Sequence, residues 1–219
     1  MAHRTIKSGY DLLTKRLNRF PQGAPLSDLL FSILKLLFNE KEAELVSLLP
    51  IRPFDAERAA AAWKTNPTEA AKVLDDLASR ALLLDTEHDG KTTYCLPPPM
   101  AGFFEFSMMR LRNDLDQKAL GELYYQYLNV EEDFIRALFT DGKTQLGRVF
   151  VQESALRAAA LPEADAMAGD QTLHVLDYER ASEVIKTASH IGVGMCYCRH
   201  KMAHLGKECA APMDICMTF

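Results

Sequence analysis

This sequence predicts a mainly helical α+β chain in three parts. Three observations carry that reading: apolar residues recurring at helical spacing through most of the first 140 positions, one Asp-Gly pair between two short apolar runs, and a cysteine cluster confined to the carboxyl-terminal end. The parts are residues 1–99, a helical linker over 100–145, and a small α/β segment over 146–219 that carries the cysteines. With 219 residues, 48% of them hydrophobic and 25% charged, the chain has ordinary globular composition and can bury a substantial core. A net charge of −5 gives no global electrostatic case for nucleic acid or an anionic membrane. No apolar run nears the roughly 20 residues that cross a bilayer, and the longest, 29–38, is broken by Ser32 and Lys35.

The elements follow in order. The first twenty residues carry Arg4, Lys7, Lys15, Arg16 and Arg19 against one acid, Asp11. They lack the apolar stretch and small-residue cleavage site of a secretory signal, so they read as a basic amphipathic lead helix, and the compartment as cytoplasmic. Ser27 caps a helix whose apolar face is Leu29, Leu30, Ile33, Leu34 and Leu37. Asn39 and Glu42 are spaced as a capping box for a second helix to about Leu49, ended by Pro50 and Pro53. An alanine-rich third helix runs from Asp55 to about Lys64 and holds the only tryptophan, Trp63. Asn66-Pro67 opens a fourth, with Ala70, Val73, Leu74 and Leu77 as its buried stripe. Strands at 81–86 and 91–96 are joined through Glu87-His88-Asp89-Gly90, a hairpin signal. Helices followed by a two-stranded ribbon are the order of a winged-helix domain, here closed by Pro97-Pro98-Pro99.

Such a domain invites a DNA reading, which its charges oppose. The fourth helix carries Lys72 and Arg80 against Glu69, Asp75 and Asp76, and the ribbon carries Asp85, Glu87 and Asp89 against Lys91. Both surfaces are net acidic and would repel phosphate, so protein docking is expected rather than DNA binding. Over 101–140, Phe103, Phe106, Met109, Leu115, Leu123, Tyr124, Tyr127, Phe134 and Leu138 read as the core stripe of two helices. Strands are expected at 148–152 and 172–176, a helix capped by Asp177 over 178–189, and a short strand at 191–195. Acidic pairs such as Asp75-Asp76 read as solvated helix faces, and Cys95 as a small apolar filler.

Four of the five cysteines, Cys196, Cys198, Cys209 and Cys216, share one short segment. Without a signal peptide, a terminal cluster of this kind more often binds metal than forms a disulfide scaffold. Four thiolates suit either zinc or an iron–sulfur cluster, and spacing alone leaves the two even. The Cys-x-Cys start requires the strand from Ile191 to turn at Tyr197, since alternate residues on a straight strand cannot converge with the rest. Arg199, Lys201 and Lys207 flank the thiols and favour their ionised form, while His200 and His204, four apart, are second-layer groups or alternative ligands.

On Cys196, Cys198, Arg199, Cys209, Pro212 and Cys216, preceded by Val175-Leu-Asp-Tyr-Glu-Arg-Ala181 and trailed by Phe219, the segment resembles a family of ferredoxin-type iron–sulfur proteins. These combine an N-terminal winged-helix-like region, a helical linker and a Cys-x-Cys-Arg…Cys-x-x-Pro…Cys segment, usually followed by ferredoxin modules. The resemblance implies a [4Fe–4S] cluster on the four cysteines, a redox protein as partner, and a role in electron transfer or redox-complex assembly. Set against that resemblance, the chain is expected either to be truncated before the ferredoxin modules or to have lost them. The alternative is a zinc- or redox-responsive winged-helix regulator, or a protein-docking module. No Gly-rich phosphate loop, nucleophile elbow or His-Glu-x-x-His is present, so no substrate site of its own is expected; a homodimer is allowed.

Overall fold

The computed structural model describes residues 8–20, 23–139 and 178–218. Arg4, Lys7, the strands expected at 148–152 and 172–176, and the Asp177 cap lie outside the described residues. The chain divides into two compact units, one of Met1–Leu146 with Gly194–Cys216 and one of Gly147–Val193 with Met217–Phe219. The described residues are mainly helical with two small two-stranded sheets, as the α+β expectation has it.

In the first unit each early helix starts on a side-chain cap. α1 (Gly9–Leu17) begins at Ser8, which forms a capping box with Asp11. α2 (Asp28–Leu37) begins at Ser27 and buries Leu30, Ile33, Leu34 and Leu37. α3 (Glu40–Ser47) has the capping box of Asn39 and Glu42. Asp55 caps α4 (Ala56–Trp63), and Asn66 caps α5 (Pro67–Ser79), with proline in its first turn. These oxygens satisfy N–H groups that have no partner inside the helix. Helices α1 and α3 pack closely at Gly9, where a Cβ would stand 2.4 Å from Glu40 O and 2.9 Å from Glu44 N.

β1 (Leu84–His88) and β2 (Lys91–Cys95) pair antiparallel with His88 opposite Lys91. The loop is therefore Asp89-Gly90 alone, with φ of 51° and 72°, the left-handed pair that a two-residue hairpin needs. The first strand starts three residues later than position 81, because Ala81 has φ 59° at the exit of α5 and Leu82 and Leu83 turn into the core. Tyr94 fastens the ribbon: its backbone pairs with Phe54, and its Oη donates to Asp75 Oδ1 at 2.5 Å. Arg80 bonds Glu42 at 2.7 Å and Asp76 at 2.9 Å. Both acids of the Asp75-Asp76 pair thus hold the fold in addition to facing water.

The middle breaks up further than the two helices expected. A π-helical turn at Pro99–Phe103 runs into α6 (Phe104–Phe106); after α7 (Gln117–Tyr125) comes a second π-turn at Gln126–Val130, then α8 (Asp133–Phe139). The aromatic stripe is core, as expected, with one change: Phe104 is fully buried at its centre and Phe106 is only half-buried. The Phe104 ring lies 5.0 Å from Phe103, 4.9 Å from Tyr124 and 6.2 Å from Tyr127.

In the second unit, α9 (Tyr178–Thr187) follows the helix expected there and leaves Val184 and Ile185 exposed. β3 (Gly192–Gly194) falls within the short strand expected at 191–195 and pairs with β4 (Cys216–Thr218). Back in the first unit, α10 (Tyr197–Ala203) was not anticipated. Among the described residues no helix is long and apolar enough to cross a membrane.

Candidate functional site

The cysteine segment is held against the core before its first thiol. Met195 N–H donates to Met109 O at 2.8 Å, and Cys196 N–H to Met213 O at 2.6 Å. Cys196 then takes the N-cap position of α10 with extended backbone. From Tyr197 the chain is helical, where the sequence reading expects a strand that turns.

That helix decides the fate of the four thiols. Cys196 stands at the extended cap of that helix and Cys198 on its first turn, so the two do not sit on one straight strand. Cys198, on the first turn, and Cys216, opening β4, both reach the wall of one cavity. Cys209 lies on the exposed coil beyond α10, where Arg199 Nε donates to its Sγ at 3.2 Å and Arg199 Nη1 donates to Pro212 O at 3.0 Å. His200 points inward: it is 4% exposed, and its Nδ1 meets Met108 O at 2.7 Å. A carbonyl only accepts, so Nδ1 carries the proton and Nε2 is left to accept from His204 Nε2, 3.2 Å away.

Among the described residues, no group of three or more His, Cys, Asp or Glu side chains is placed to hold a metal ion. This corrects the [4Fe–4S] centre expected on Cys196, Cys198, Cys209 and Cys216, and equally the zinc alternative. The iron–sulfur family resemblance falls with it, as do electron transport and the zinc-responsive regulator. The reasons are local. Arg199 engages Cys209, and His200 and His204 are occupied with the core and with each other.

Electrostatics divides the thiols further. The hydrogen bond from Arg199, followed by a backbone bond at Ala211, holds Cys209 below the ordinary thiol pKa. Burial, and then neighbouring Cys196, push Cys198 up, and burial pushes Cys95 up as well. Arg199 rises in return through its bond to Cys209. Lys201 is 6% exposed and is pulled below the ordinary lysine value by burial, while its Nζ donates to Asn129 Oδ1 at 2.8 Å.

Tyr197 and Lys201, read from sequence as a turn position and a flanking charge, are instead buried on one face of α10. Their signal is present: Tyr197, His200, Lys201 and His204 recur at i, i+3, i+4 and i+7, the spacing of one helix face. Three of those four are polar types that an apolar-stripe search passes over. Elsewhere, an open groove of about 780 Å³ is lined in part by Arg19, Arg52, Arg58, Asp55 and Glu57. What the fold and site define is a mainly helical α+β protein with an arginine-paired surface thiol on its C-terminal segment. No protein-family model, curated protein or solved structure matches the chain.

Proposed function

We propose that this chain is a thiol-exchange protein in which Cys209 is the nucleophile and Arg199 keeps it ionised. The observation that carries the reading is the Arg199 Nε hydrogen bond to the exposed Cys209 Sγ at 3.2 Å. The thiolate is the attacking form of cysteine, and a cationic neighbour with access to solvent is what makes one reactive. Cys209 attacks one sulfur of a disulfide; that S–S bond breaks, Cys209 keeps one half as a mixed disulfide, and the other half leaves as a thiolate. Cys196 also interacts with the Arg199 guanidinium, which supports it as the second thiol that resolves the mixed disulfide and releases the remaining half.

The partner in this reading is a protein bearing a disulfide, docked by the N-terminal helices and ribbon. Their order supports the winged-helix assignment, and the engagement of Arg80 with Glu42 and Asp76 supports protein over phosphate as the contact. Five free cysteines suit a reducing compartment such as the cytoplasm. The protein acts as an exchange partner and has no separate substrate chemistry.

The test is the rate of reaction with the aromatic disulfide dithiobis(nitrobenzoate) as a function of pH. Cys209 gives the fast phase, with its midpoint below that of an ordinary thiol. Cys209→Ser abolishes that phase, and Arg199→Gln moves its midpoint up. A fast phase that survives Cys209→Ser, or a midpoint indifferent to Arg199→Gln, overturns the proposal.

A further inference from the structure

The open groove of about 780 Å³ lies wholly on the first unit and collects guanidinium groups from three parts of the chain. Arg19 stands just past the end of α1, Arg52 between α3 and α4, and Arg58 in the first turn of α4. All three are exposed, and among the described residues none of their side chains makes an ion pair or a hydrogen bond. Arg80 and Arg112, by contrast, close on carboxylates of their own chain.

Arg16 adds a positive charge beneath the groove. It is buried, and its hydrogen bonds go to the carbonyls of Leu49 and Pro50 rather than to a carboxylate. Pro50 is itself a wall residue, so this charge lies directly behind the wall. A charge removed from water is poorly screened, and it acts on whatever enters the groove although its own atoms are covered.

The remaining lining sets the kind of anion. Pro50, Ile51 and Pro53 give apolar surface beside the guanidinium groups. Asp55 Oδ1 accepts from Arg58 N–H at 2.8 Å as the cap of α4, and Glu57 stands next to it on the same wall. These two acids oppose a ligand of closely spaced phosphates. Carboxylates spaced along a chain can meet the arginines, whose planar fork matches them in pairs of hydrogen bonds, and still keep clear of Glu57.

We propose that this groove docks an acidic peptide segment of another protein, its carboxylates paired with Arg19, Arg52 and Arg58 and its apolar side chains laid against Pro50, Ile51 and Pro53. The proposal rests on the thiol-exchange reading for the identity of that protein, the disulfide-bearing partner. The groove's preference for acidic peptide does not depend on Cys209, which is not among its lining residues.

The probe is a short, fluorescently labelled, cysteine-free peptide of glutamate, leucine and glycine, titrated into the full chain and followed by anisotropy. It binds saturably and more tightly than the same peptide with glutamine for glutamate. It also binds more tightly than citrate, which offers carboxylates without a chain. Arg52→Gln combined with Arg58→Gln weakens binding about fivefold, and Glu57→Gln tightens it about twofold, since exposed charges contribute modestly one by one. The proposal is overturned by absence of saturable binding, by equal affinity for the glutamine peptide, by indifference to the double arginine variant, or by tighter binding of citrate or of duplex DNA. Cys209→Ser binds the peptide as wild type does. A chain that takes the peptide but lacks the fast dithiobis(nitrobenzoate) phase loses the exchange reading and keeps the groove; the reverse result removes the groove alone.

Discussion

Arg16 is 2% exposed, on the helix that reads from sequence as a basic amphipathic lead. Its Nε donates to Leu49 O at 2.9 Å and its Nη2 to Pro50 O at 2.5 Å, and its guanidinium carbon stands 4.9 Å from the Phe20 ring centroid. Burial, and then Arg19, lower its pKa to about 10. Nothing in the sequence separates Arg16 from Arg19; the distinction is made by the carbonyls just past α3, which need a donor once packed against α1. The histidine pair is a second case, since the four-residue spacing that suggested alternative metal ligands places one ring in the core under the other. It also has a consequence for pH. Burial, followed by His200, holds His204 below its ordinary pKa, so folding favours the neutral ring. Above the ordinary value His204 is neutral in folded and unfolded chains alike, and its contribution is complete. As pH drops below that value the unfolded chain takes up a proton that the folded chain resists, and stability declines until the folded-state pKa is passed. Thermal melts from about pH 7.5 to about pH 5, spanning the ordinary histidine pKa, are therefore expected to fall less steeply for His204→Gln than for wild type. Equal slopes would remove His204 from the account.

At the scale of elements, the helices legible in advance were those announced by a cap. Ser27, Asn39, Asp55 and Asn66 act within a few residues of themselves, so a short window of sequence contains the whole interaction. The π-turns at Pro99–Phe103 and Gln126–Val130 lack a side-chain cap and were not legible. Helix α10 lacks one too, and its buried face is chemically polar. The contact of α1 with α3 was equally hidden, because a glycine at a helix start ordinarily says little. Here Gly9 permits approach to backbone atoms that cannot give way, and its N–H donates to Glu40 Oε1 at 2.5 Å. Gly9→Ala is expected to cost about 1–3 kcal/mol, the usual range for forcing an extra carbon into a packed interface. Urea unfolding measures it directly, and a midpoint unchanged from wild type would show that α1 can slide on α3 without loss.

Over the whole molecule, the sequence identified the aromatic stripe as core but could not place Phe104 at its centre, because the π-turn before it shifts the helical register by a fraction of a turn. Convergence of four thiols was illegible for a related reason: it depends on whether residues 197–203 coil or extend, and that is settled by what α7 offers them. Tyr124 lies 6.1 Å, ring to ring, from Tyr197, and Gly121 leaves room for His204 at 3.5 Å. Phe104→Ala is expected to cost about 3–5 kcal/mol, as large aromatic truncations in cores do. Because α7 and α10 share that core, amide hydrogen exchange should accelerate in both together. Acceleration in α7 alone would show that α10 is stabilised independently.

The bond from His200 to the Met108 carbonyl joins positions 92 residues apart. During synthesis at about 5–20 residues per second, the ribosome needs on the order of 5–20 s to bridge that interval. Throughout it, the nascent chain presents Met108 and the neighbouring aromatic rings without the segment that will cover them. The protein is thus committed to a delay of seconds in which its partly built interior is open to chaperones and to other emerging chains.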